Sequence, residues 1–127
     1  MKQLVLLLAF VLLILPSFLL AQSISGKVRY DKSTKGTLFV FIRYLSEKGN
    51  QPVALKRYPN PKFPLSFKLT PEDAMVPGTP FKGPFRVIAK LTPEGRIWSD
   101  HVTFAKGESD EKKPVNVGDE NIVIDLK

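Results

Sequence analysis

The chain has no cysteine, one histidine and one tryptophan among its 127 residues. Without a thiol there can be no disulfide, iron–sulfur ligation, thiolate nucleophile or covalent haem attachment on this chain. Nor can a lipidated cysteine follow its N-terminal apolar run. Blue copper needs a Cys thiolate and two His, so His101 alone excludes it. A zinc site would have to draw most of its ligands from carboxylates, and no spacing favours that. Sustained helical periodicity is also missing beyond position 21, so stability has to come from an apolar core built of strands.

What is present at the start is a leader-like pattern. Lys2 gives a short positive region, Leu4 to Leu20 is apolar apart from Pro16 and Ser17, and Ala21 offers a cleavage point that would leave Gln22 first. Leu19 stands where a small residue is usual. Retention of the run as a membrane anchor is therefore the alternative expectation, since Leu4 to Ala21 is about long enough to span. Residues 22–127 are expected to form a single β-sandwich domain.

Setting Lys2 aside leaves 18 basic and 12 acidic residues, a net charge of +6. Lys27, Arg29, Lys32, Lys35, Arg43, Lys48, Lys56 and Arg57 are dispersed among apolar positions. This is the pattern of a solvated sheet face rather than of a nucleic-acid surface.

Alternation with period two predicts strands over Ser23–Tyr30, Gln51–Tyr58, Leu65–Leu69, Phe85–Thr92, Arg96–Phe104 and Asn121–Lys127. Thr37–Leu45, TLFVFIRYL, is more continuously apolar and predicts a central strand buried on both faces. Pro52 marks the Gln51–Tyr58 strand as an edge. The prolines of PNPKFP (Pro59 to Pro64) remove ladder donors, which predicts an extended crossover between sheets. Pro93 to Gly95 is turn chemistry for a hairpin, and the charged segment Lys106–Pro114 is expected to be a mobile loop. The fold class is all-β: a two-sheet antiparallel sandwich of about seven strands, immunoglobulin-like, transthyretin-like or cupredoxin-like without a metal site.

No catalytic arrangement survives inspection. Ser99, Asp100 and His101 are consecutive, so in a strand they point to alternating faces and cannot form a triad. Glu72 and Asp73 fit a turn better than a glycosidase pair, with Thr70 as cap and Pro71 in the first position. Two groups of residues remain as candidates for partner binding. Trp98 with Arg96 could stack on a sugar or a peptide side chain. The edge strand, with Val53, Leu55 and Arg57, could pair with an extended peptide.

The ordered phrases ISGKVRYD, LFVFIRY, PVALKRYPNPKFPLSFKLTPEDAM, PFRVIAKLTPEG and PVNVGDENIVIDL resemble the C-terminal periplasmic domain of CycH/CcmI-type c-type cytochrome biogenesis factors. Leu38–Arg43, Pro52–Leu55, Pro64–Met75 and Val87–Gly95 stand at the family's LFVFAR-, PLA-, LPLxFTLDDSMAM- and VVVGARxSKSG-like places. The turn PEDAMVPG keeps Met75 but not its surroundings. The resemblance implies a chaperone-like role in handling apocytochrome c before haem ligation. The resulting expectation is a non-enzymatic exported module, without cofactor, that binds apocytochrome c or another cytochrome-assembly component. Its location would be periplasmic, or anchored in the inner membrane facing the periplasm. The alternative is a small-ligand or carbohydrate-binding sandwich using Trp98 and Arg96.

Overall fold

A computed structural model of the chain describes residues 22–32, 35–45, 51–93, 105–110 and 112–127. Seven strands occur in this order: β1 (Ile24–Arg29), β2 (Thr37–Tyr44), β3 (Ala54–Pro59), β4 (Leu65–Leu69), β5 (Phe85–Thr92), β6 (Ala105–Glu108) and β7 (Ile122–Asp125). They build a three-stranded sheet, β4-β1-β7, and a four-stranded sheet, β3-β2-β5-β6. The two-sheet all-β expectation holds. All the pairings are antiparallel except β1 with β7, which run parallel.

The alternation seen in the sequence becomes the inner face of each sheet. Ile24 and Val28 from β1, Phe67 and Leu69 from β4, and Ile124 from β7 meet Leu38, Val40 and Ile42 from β2 and Phe85, Val87, Ala89 and Leu91 from β5. Burying side chains of this size stabilises the fold by about 1.5–3 kcal/mol each relative to exposure. Ser66 and Lys68 point to solvent between them, as the period of two requires.

β2 lies between β3 and β5 and is buried from Thr37 through Ile42. Its second apolar row, Phe39 and Phe41, faces away from the main core and packs with Ile88 and Leu55 in a separate small cluster. The segment Asn60–Pro64 carries the chain from β3 to β4, hence from one sheet to the other. Carbonyls that would pair with proline amides in a sheet are not needed there.

Two features of the C-terminal half differ from expectation. The segment expected to be a loop from Lys106 begins as β6, whose Ala105, Gly107 and Ser109 are buried while Lys106 and Glu108 are exposed. Small residues point inward because β7 passes very close: a Cβ on Gly107 would lie 2.5 Å from the Asp125 carbonyl oxygen. The expected strand Arg96–Phe104 lies outside the described residues, apart from the boundary it shares with Ala105.

Gly26 marks a second close approach. A Cβ there would lie 2.0 Å from the Ile122 carbonyl oxygen, at the register point where β1 meets β7. Glycine is what allows the parallel pair to form.

Candidate partner-binding edge

β3 is the edge of its sheet, and its backbone divides into two sets. The Asn60 N–H donates to the Gly36 carbonyl at 2.8 Å. Because bonded pairs alternate along an antiparallel ladder, the even-numbered residues Ala54, Lys56 and Tyr58 face β2 through Ile42, Val40 and Leu38. Leu55 and Arg57 therefore turn their N–H and C=O groups outward. Pro59 closes the strand at a position where the missing N–H would also have pointed outward, so the ladder loses nothing.

Val53 shows where this outward row ends. Its carbonyl is outward-facing too, but it already accepts the Met75 N–H at 3.0 Å, beside a bridge between Ala54 and Ala74. Among the described residues, nothing equivalent pairs with Leu55 or Arg57.

The side chain of Val53 corrects the sequence expectation. It was grouped with Leu55 and Arg57 by alternation, yet it is only 5 % exposed and belongs to the main core. Ala54 is the register partner of Ile42, while the Val53 N–H also donates to the Ile42 carbonyl at 2.8 Å. Two residues thus oppose one, as in a β-bulge, and the extra residue is turned inward. Val53 is unavailable to a partner.

Leu55 and Arg57 remain on the outer face. Leu55 is half-buried against Phe39, Phe41 and Ile88. The Arg57 guanidinium lies 5.7 Å from the Phe39 ring centroid, and that of Arg43 lies 5.2 Å from the Phe41 ring centroid. Such cation–π contacts hold the long side chains flat on the sheet. Arg57 stays exposed.

The inner-row residues of β3 lean toward β4. Lys56 Nζ donates to the Lys68 carbonyl at 3.4 Å. Tyr58 sits against the same backbone, and burial raises its phenol pKa above the ordinary value, reinforced by Asp73 and opposed by hydrogen bonding to Lys68. This flank of the sandwich is thus closed by side chains.

The acids that first suggested chemistry belong to the turn after β4. Pro71–Asp73 forms a single 3-10 turn capped by Thr70. The Thr70 N–H donates to Asp73 Oδ2 at 2.9 Å, a reciprocal cap that satisfies an otherwise unpaired donor. Glu72 is exposed. Among the described residues, no three His, Asp or Glu side chains are grouped to hold a metal.

Beyond the turn, Met75 and Val76 are 47 % and 57 % exposed, the chain's apolar tip next to β3. Sequence reasoning kept Met75 only as a matched residue; its position at the end of the open edge had no signal in the local pattern. The loop that follows is tied down by the Tyr44 hydroxyl, which donates to the Pro80 carbonyl, and by Phe81 packed near Phe85. Arg96 and Trp98, with Ser99, Asp100 and His101, lie outside the described residues.

Comparison with known proteins agrees with this architecture. No solved structure matches the chain. An uncharacterized protein of Aquifex aeolicus (strain VF5) is 29 % identical over 94 residues, which cover 74 % of this chain and 59 % of that protein's length. Residues 19–125 match the model of the cytochrome c-type biogenesis protein H Ig-like domain. With that match spanning nearly all of the strands, the chain belongs to the family of cytochrome c-type biogenesis protein H Ig-like domains.

Proposed function

We propose that this protein serves c-type cytochrome maturation as a non-enzymatic, protein-binding module that offers the edge of β3 to an extended segment of its partner. Residues 22–127 act as the domain, on the periplasmic side of the membrane, and residues 1–21 act as its export leader or its anchor. The partner is apocytochrome c or another component of the assembly machinery.

The single observation that carries this reading is the outward backbone of Leu55 and Arg57, left open in a fold whose other described flank is closed by backbone bonds. An added strand would satisfy those groups. The family match supports the pathway, and the absence of a cysteine means that the chain would act on its partner without thiol chemistry of its own.

Pull-down and calorimetry with apocytochrome segments test this directly. Leu55→Pro and Arg57→Pro each remove one outward N–H while leaving the bonds from β3 to β2 in place. Micromolar binding by the parent protein that both variants lose is the expected result. Undetectable binding, or binding indifferent to both variants, would overturn the reading.

A further inference from the structure

Resting on that reading of the β3 edge, we propose that the edge selects an acidic extended segment and pairs with only three of its residues, the length being set by Met75. The limits are visible in the backbone. At one end the Met75 N–H occupies the Val53 carbonyl. At the other, Pro59 has no N–H to give. Between them only Leu55 and Arg57 point outward.

The chemistry of the three positions follows from what each incoming side chain would meet. Directly opposed residues in a sheet bring their side chains to about 5 Å on the same face. Opposite Arg57, on the outer face, a carboxylate would complete an ion pair with an exposed guanidinium. Opposite Lys56, on the inner side, a second carboxylate would lie beside Lys56 and near Lys68, whose carbonyl already draws the Lys56 ammonium in. Opposite Leu55, an apolar or β-branched residue would extend the cluster of Phe39, Phe41 and Ile88. Past Leu55 the partner must turn away from the occupied Val53 position. It then passes the exposed Met75 and Val76, which favour an apolar residue.

The neighbouring acids are consistent with this order. Asp73 is already used by the Thr70 N–H. Glu72 is exposed at the Met75 end, where the partner is apolar rather than acidic. A second copy of the chain is a poor occupant, since pairing two β3 edges would set Lys56 and Arg57 against the same residues, in chains that each carry net charge +7.

Fluorescence anisotropy with two labelled, extended octapeptides tests the inference on the full protein: one with an Asp-Glu-Val core, the other with Lys-Lys-Val. Opposite-charge and like-charge pairs at two positions predict about a tenfold preference for the acidic peptide, narrowing with added salt. The double variant Lys56→Glu, Arg57→Glu should reverse the preference; should it fail to fold by circular dichroism, Arg57→Glu alone should at least abolish it. Equal binding of the two peptides, or a preference unmoved by charge reversal, overturns the inference. If Leu55→Pro still abolishes binding of an apocytochrome segment in that case, the edge itself stands and only its charge rule fails. Binding that survives Leu55→Pro removes both.

Discussion

The two flanks of the sandwich are closed in different ways. On one, Lys106 of β6 and Lys127, just after β7, exchange backbone hydrogen bonds of 3.2 and 3.1 Å. β7 approaches β6 so closely that Gly107 has no room for a Cβ. On the other flank, β3 and β4 meet through Lys56 and Tyr58 reaching to the Lys68 backbone. A backbone seam resists change because its atoms cannot move aside. A side-chain seam can open at small cost, and that is where an incoming strand could be accommodated.

This contrast predicts a graded series of effects. The largest belongs to Gly26→Ala at the β1–β7 pairing that holds the backbone-closed flank. With its Cβ 2.0 Å from the Ile122 carbonyl oxygen, the strands must separate, costing about 3 kcal/mol or more, as overpacking at its upper end does. Urea unfolding would measure it, and a loss below about 1 kcal/mol would show that the close approach is easily relaxed. Gly107→Ala should cost somewhat less, about 2 kcal/mol, because one of its close neighbours is the Ile124 methyl rather than backbone. Lys127→Pro, which removes the donor to Lys106, should cost about 1 kcal/mol.

The side-chain flank should respond mildly. Tyr58→Phe is expected to lower stability by less than about 1 kcal/mol near neutral pH, the value of one modest hydrogen bond. Its pH signature is more telling. Burial raises the Tyr58 pKa in the folded protein, so the folded state holds this proton more tightly than the unfolded chain. Stability is fully present below the unfolded value of 10.0 and falls as pH rises through it toward the folded pKa. Tyr58→Phe should flatten that alkaline decline, and a pH series of thermal unfolding curves for both proteins would show it. The smallest effect is expected at the exposed pair of Arg29 and Asp125, which meet at 2.7 Å. Asp125→Asn should leave the melting temperature at neutral pH close to that of the parent.

Strand positions and the two-sheet architecture were legible because alternation survives wherever one face is buried and the other wet. β2 was recognisable as central because both of its faces are apolar, a signal that Phe39 and Phe41 create. β6 was not recognisable. Its inward residues are Ala105, Gly107 and Ser109, chosen small by the closeness of β7, and small residues among charges read as loop. The parallel pairing of β1 with β7 rests on contacts between distant parts of the chain, which local pattern does not encode.

The candidate edge was half legible. Pro52 and Pro59 flanked a strand that had to lie at a border, and Leu55 and Arg57 kept their expected face. Val53 did not, because the bulge opposite Ile42 shifts phase by one residue, and periodicity cannot announce an insertion in phase. The stop provided by Met75 depends on tertiary position alone.

The parallel partnership of the first strand with the last also governs when this fold can exist. β1 emerges from synthesis early and finds β4 as its antiparallel neighbour, but its other side waits for β7, almost a hundred residues later. Contacts of such sequence separation raise contact order and place folding in the millisecond-to-second range of sandwich domains rather than the microseconds of helical ones. A chain threaded through a membrane from its N-terminus would therefore stay incomplete until its final residues had crossed, and completion of the domain would report completion of transport.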